Sequence, residues 1–148
     1  GTWTATAEVG SEAAVSGPGR GHAIDTTAEA HLLVGDETAL PAIDQLLERM
    51  PDDVPVRVLV EGAAPDARIA LHTTPATEVT WVVLRPGDEP GTAMVDMLVA
   101  LDDVPTSVWV AGEAAAVQRA RGHLFDQRGL SRRQAIVRGY WKKGRSAT

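Results

Sequence analysis

Apolar residues in this chain gather into short dense runs, and between the runs they recur at helical spacing. The runs are HLLVG (31–35), VPVRVLVEG (54–62), EVTWVVL (78–84) and SVWVAG (107–112), with a last candidate at AIVRGYW (135–141). They have the length and β-branched content of strands buried on both faces. Leu40, Ile43, Leu47 and Met50 mark a first amphipathic helix, Met94, Met97, Leu98 and Leu101 a second, and Val117, Ala120 and Leu124 a third. Strands alternating with helices predict an α/β, Rossmann-like three-layer sandwich around a five-stranded, mainly parallel sheet. Right-handed crossovers then fix most of its topology. Residues 63–75 carry no clear period and read as a loop holding a short strand at RIALH (68–72).

Residues 1–30 have a different texture. Two short alternating runs separated by turn residues predict one or two strands and a linker, too little to close a core. The domain proper is therefore expected over 31–148. A length of 148 residues suits one domain with a real core plus such a fragment, and a start at Gly1 rather than Met fits a piece of a longer product. No apolar stretch is long enough to cross a membrane, and no charged-then-apolar start suggests a signal peptide. The absence of cysteine excludes disulfides and thiolate metal sites and fits a reducing cytoplasm. A cytoplasmic monomer is expected. His22, His31, His72 and His123 lack metal-ligand spacing and read as surface or core residues, so no metal site is expected.

The net charge of -6 hides an asymmetry. From residue 114 onward nine Lys or Arg stand against one acid, Asp126, whereas the first 113 residues hold five basic and nineteen acidic residues. A basic C-terminal face attracts an anionic ligand, or it is a solvated helix face with a basic tail; both readings stay open. Aromatic residues are too few to stack single-stranded nucleic acid, so no nucleic-acid partner is expected.

Three stretches carry candidate chemistry. In HLLVGDETALPAI (31–43) an apolar run breaks at Gly35, acids follow at Asp36 and Glu37, and a helix begins near Ala39. Thr38 is placed to cap that helix, and Pro41 falls in its first turn, where a missing N–H costs little. Ligands of open α/β sheets bind at such strand ends, although a capped helix with acids favoured by its dipole has the same appearance. WVAGEAAAV (109–117) repeats the grammar: a strand ends at Gly112, Glu113 takes the turn, and an alanine-rich helix follows. Small residues at Ala111 and Gly112 would admit a flat ring, or they serve close helix–strand packing. RGYWKKGR (138–145) sets Tyr140 and Trp141 beside Lys142 and Lys143, either a stacking surface with an anion contact or an aromatic anchor before a frayed tail. GPGRG (17–21) reads as a turn rather than a phosphate loop, and SRRQ (131–134) as a capping box opening a short helix.

GDETALPAI, WVAGEAAAV and GYWKKG, in this order and at these separations, resemble the siderophore-interacting proteins, flavin-dependent ferric-siderophore reductases of the ferredoxin-reductase-like superfamily. The resemblance covers about residues 31–145, the C-terminal NAD(P)H-binding domain of that family. It implies that Trp3 and VGSEAAVSGPG, within residues 1–30, are the end of the family's FAD-binding barrel. It further implies a hydride from NADPH or NADH, a FAD carried on a barrel largely absent from this chain, and single electrons passed to Fe(III) in a siderophore. By the same resemblance Gly35, Asp36, Glu37, Thr38, Ala39 and Leu40, with Ala111, Gly112 and Glu113, line the nicotinamide-nucleotide crevice. Tyr140 and Trp141 lie near the flavin, and Lys142 and Lys143 contact an anionic siderophore. Where related reductases have a glycine- and threonine-rich turn, this chain has acids that would repel a pyrophosphate. They are expected to accept from ribose hydroxyls or the carboxamide, or to cap the turn, with loose choice between NADH and NADPH. Without a flavin site the chain would not run the reaction alone. A non-catalytic module binding a nucleotide or an anionic siderophore, or a purely structural domain, is the alternative.

Overall fold

The computed structural model describes residues 6–12, 24–25 and 27–144. Trp3, GPGRG and most of the expected barrel remnant lie outside the described residues. Five strands form one sheet: β1 (His31–Asp36), β2 (Val56–Gly62), β3 (Thr77–Val83), β4 (Val108–Glu113) and β5 (Ala135–Trp141). Their order is β3-β2-β1-β4-β5 and every pairing is parallel, so the sheet is wholly rather than mainly parallel. Three eight-residue helices cross between strands: α1 (Leu40–Leu47), α2 (Thr92–Val99) and α3 (Ala114–Arg121).

The period of two along each strand sorts the core into two layers. Leu33, Val58, Val60, Trp109 and Ala111 face α1 with Ile43, Leu46 and Leu47, while Leu32, Val34, Val108 and Val110 face α2 and α3 with Met94, Leu98, Val117 and Ala120. Such a sheet is covered on both sides, as its near-continuous apolar strands require. The α2 and α3 helices meet closely at Gly91. Its φ of 80° and a would-be Cβ only 2.2 Å from Ala116 Cβ exclude any side chain there.

Two local expectations fail. RIALH forms no strand: the β2-to-β3 crossover is a 3-10 turn (Pro65–Ala67) and then extended chain, with Leu71 packed on the α1 layer. SRRQ opens no helix either. Gln134 Oε1 does accept from Ser131 N at 2.9 Å, half of a capping box, but the Gln134 N–H bonds back to Ser131 O and closes a turn that leads straight into β5. Part of the C-terminal basic set is used within the fold. Arg128 donates to the Leu101 and Asp102 carbonyls just beyond α2, Arg121 to Val137 O, and Arg132 lies over the Phe125 ring. Among the described residues no helix is long and apolar enough to cross a membrane.

Successive crossovers change sides of the sheet between β1 and β4, which are hydrogen-bonded neighbours. That is the topological switch point, where ligands of open α/β sheets bind outside the carboxyl ends of the strands.

Candidate functional site

A row of buried carboxylates lies along that edge. Glu61 is the last residue but one of β2, Asp36 ends β1 and Glu113 ends β4, with exposures of 3%, 5% and 4%. Asp36 and Glu61 stand side by side in the parallel register. Buried carboxylates are tolerated only with donors around them, and each of these is supplied with backbone N–H groups.

Asp36 accepts four hydrogen bonds. Oδ1 takes the Thr38 N–H at 3.0 Å and the Thr38 hydroxyl at 2.5 Å; Oδ2 takes the Glu113 N–H at 2.8 Å and the Trp141 indole N–H at 2.9 Å. Thr38 is therefore not the cap. Asp36 caps the 3-10 turn Glu37–Ala39 that leads into α1, because its shorter reach to the N–H two residues on closes an Asx-type turn. The same carboxylate explains Gly112, whose φ is 154° and whose would-be Cβ lies 2.6 Å from Asp36 Oδ2. At Gly112 the absence of a side chain makes room for the chain's own carboxylate.

Glu61 and Glu113 do for α2 and α3 what Asp36 does for the turn before α1. Glu61 accepts from Gly91 N at 2.7 Å and Met94 N at 2.9 Å. Glu113 Oε2 accepts from Ala115 N at 2.6 Å and Ala116 N at 3.1 Å, and Oε1 from Lys143 N at 3.2 Å. Burial pushes the Glu113 carboxyl up, but the three N–H donors and nearby Arg119 outweigh it and hold it below its ordinary value. Helix N-termini attract anions. Here the starts of α2 and α3, and the 3-10 turn before α1, each already hold a carboxylate of the chain itself.

Two hollows open beside this row. The smaller, about 120 Å³, lies between Asp36, Glu37, Thr38, Glu61 and Ala63 on one side and Leu84, Pro90 and Trp141 on the other. The larger, about 640 Å³ and open, runs past Glu37 and Thr38 over Leu40 and Pro41 to Asp66 and Ile69. They meet at Glu37, Thr38 and Ala63, where Glu37 Oε2 accepts the Ala63 N–H at 3.0 Å. Of the residues expected to line a crevice, Asp36, Glu37, Thr38, Leu40 and Trp141 border these hollows, while Gly35, Ala39, Ala111, Gly112 and Glu113 are buried and line neither.

Tyr140 and Trp141 are 38% and 37% exposed at the end of β5. Tyr140 packs edge-on against buried Trp109, with ring centroids 6.1 Å apart, and burial raises its phenol pKa. Lys142 is exposed, and Lys143 Nζ pairs with Glu89 at 2.8 Å in an exposed bridge. Sequence reasoning missed Glu61, Leu84 and Pro90. A signal for Glu61 exists in hindsight: all three strand ends pair a glycine with an acid, as GD, EG and GE.

The siderophore-interacting protein family model matches residues 28–144. The chain belongs to the siderophore-interacting protein family. It is 35% identical over 162 residues to an uncharacterised Mycobacterium tuberculosis protein, covering 99% of this chain and 56% of that protein. Ferric vibriobactin reductase of Vibrio cholerae is 27% identical over 153 residues, with 99% and 55% covered. Among solved structures, a siderophore utilization protein from T. fusca superposes with a TM-score of 0.71 at 35% identity, over 80% of this chain and 47% of that one. The chain thus spans about half the length of the curated relatives it matches.

Proposed function

We propose that this chain is the pyridine-nucleotide half of a flavin-dependent ferric-siderophore reductase. One observation carries the reading: two adjoining hollows at the carboxyl ends of β1 and β2, the smaller one ring-sized and walled by Trp141. A combined site of this kind falls within the range of small-molecule pockets, roughly 300–1,000 Å³. Family membership and the likeness to ferric vibriobactin reductase supply the chemistry, an electron path ending on Fe(III).

A bound nicotinamide would supply the hydride and a flavin would divide it into single electrons for the ferric siderophore. The residues of this chain bind and orient. Trp141 offers one face to a flat ring, and its indole is fixed by the Asp36 carboxylate. Leu84 and Pro90 give the slot an apolar wall. Because Asp36, Glu61 and Glu113 already occupy the turn before α1 and the starts of α2 and α3, affinity must come from the ring and the sugars rather than from a cradled pyrophosphate. Tyr140 and the exposed face of Trp141 are the surface offered to a flavin, which a barrel built in part from residues 1–30 would hold. Lys142 and Lys143 stand next to that surface and would meet the anionic siderophore, Lys143 by leaving Glu89.

Tryptophan fluorescence of the chain titrated with NADH, NADPH and FAD tests the proposal. Saturable quenching by a nicotinamide nucleotide, lost in Trp141→Ala, is expected. Quenching by FAD alone would move the role to a flavin-facing surface. No response to any of the three would leave a siderophore-binding or structural module.

A further inference from the structure

The amino-terminal edge of the sheet, opposite the row of carboxylates, holds a buried histidine that the proposed reaction does not use. His31 opens β1 and is 1% exposed. Its Nδ1 is bonded to Ser107 Oγ at 2.8 Å, while Nε2 is buried with no hydrogen-bond partner. His31 also lines a hollow of about 140 Å³ whose charged groups are Arg57, Glu78 and Asp103. Ala30, from the segment that enters β1, forms part of the same wall. That segment is lightly held. Ile24 packs on the α1 layer, the layer His31 shares with Leu33 by strand alternation. Among the described residues, the hydrogen bonds of residues 24, 25 and 27–30 are local: the Asp25 carboxylate accepts the Thr27 N–H at 2.9 Å and the Thr27 hydroxyl at 2.6 Å, and the Asp25 carbonyl accepts the Ala28 N–H. The first bond to the sheet is that of the His31 N–H to Pro55 O. Segments with so few ties are the first to open.

We propose that His31 is a proton-operated latch: as the neutral ring it lets the entering segment lie closed on the sheet edge, and as the imidazolium it releases that segment. The inference goes beyond the nicotinamide reading and does not depend on it. A neutral imidazole leaves one nitrogen unsatisfied here, whereas an imidazolium has two N–H donors and a charge, which is far harder to bury without an acceptor. Of the groups facing the ring, Arg57 opposes the charge. Glu78 and Asp103 favour it but are exposed to solvent, and Asp25 is engaged by Thr27. None of them is bonded to Nε2. Burial accordingly holds the His31 pKa below its ordinary 6.5, and the Asp25 carboxylate offsets only part of that effect. Lifting the segment that carries Asp25 and Ala30 is the least disruptive way to bring water to the ring, because it breaks no hydrogen bond to the sheet. The closed form is therefore whole above the ordinary pKa and lost as pH falls through the depressed one.

Because the chain has no cysteine, a nitroxide attached through Glu29→Cys reports on the entering segment alone. Its mobility should be low at pH 8 and rise on acidification with a midpoint below 6.5. Over the same range the far-UV circular dichroism, and a label at Asp96→Cys on the exposed face of α2, should stay unchanged. His31→Gln, which keeps a neutral polar side chain, should abolish the transition. Asp25→Asn, at an exposed position, removes a charge that favours protonation and should move the midpoint to lower pH. The His31 ring, titrated by NMR in the unsubstituted chain, should share the label's midpoint. Mobility independent of pH, a segment that becomes more ordered in acid, a transition that persists in His31→Gln, or a ring that titrates at a different pH from the label overturns the latch.

Discussion

The indole N–H of Trp141 donates to Oδ2 of Asp36 at 2.9 Å, across 105 residues of sequence. The same oxygen accepts the Glu113 N–H, so one buried carboxylate joins the ends of β1, β4 and β5. Replacing it with alanine strands the Glu113 and Thr38 N–H groups and the indole. Leaving a buried donor unsatisfied costs about 1–3 kcal/mol, so Asp36→Ala should lose about 3 kcal/mol of unfolding free energy. Asp36→Asn, which keeps one acceptor and turns an amide NH₂ towards the other donors, should fall in between. Urea unfolding followed by tryptophan fluorescence measures both. A loss under about 0.5 kcal/mol for alanine would mean that the carboxylate does not hold the strand ends together.

Glu61 tests whether self-capping is general on this edge. Its two oxygens take the N–H groups of Gly91 and Met94, fixing the entry to α2. Glu61→Ala should cost about 1–2 kcal/mol, the range of a lost N-cap, and Glu61→Gln less, because the amide oxygen still accepts one bond. The denaturation midpoint should fall without a change in slope, since the packed core stays the same.

How legible the chain is depends on whether a feature has a period. Leu32, Val34, Val108 and Val110 belong to short β-rich runs whose face is set by alternation, and Leu40, Ile43 and Leu47 repeat at helical spacing. The strands are placed to within one or two residues, while the apolar spacing carries the first and third helices on to Met50 and Leu124, three residues past their ends at Leu47 and Arg121. The strand expected at RIALH rested on composition alone, with no partner edge to satisfy it. Site geometry is harder, because it depends on register. Asp36 and Glu37 are conspicuous in sequence, yet only the β1–β4 pairing puts the Asp36 carboxylate against Gly112. Glu61 was hidden in a strand whose partner N–H groups lie 30 and 33 residues away.

Two groups give the stability an acid dependence at separate pH values. Burial lowers the pKa of His31, which is 1% exposed and bonded through Nδ1 to Ser107 Oγ at 2.8 Å, below its ordinary 6.5. Below that value the unfolded chain takes up the proton first. The contribution of neutral His31 is then whole above about pH 6.5 and lost as pH falls through the depressed folded pKa. Glu113 follows the same sign lower down: its contribution is present above the ordinary 4.5 and lost as pH falls through its own depressed folded value. Thermal melts from pH 8 to 3 should show two successive declines. His31→Gln should flatten the upper one, and Glu113→Gln the lower one.

Trp141 separates the slot from the scaffold. Trp141→Phe keeps a flat apolar wall and removes only the bond to Asp36, so it should cost about 1 kcal/mol of stability and leave NADH affinity within about threefold of the parent. Trp141→Ala loses the same bond and also the wall. Stacked aromatic contacts are worth about 1–3 kcal/mol by alanine substitution, so its NADH affinity should fall about tenfold or more, read by calorimetry since the indole reporter is gone. The contrast between the two variants carries the test, because both disturb Asp36 equally and only one removes the ring. Equal affinities for the phenylalanine and alanine variants would place the nicotinamide elsewhere on the edge, whatever either substitution does to stability.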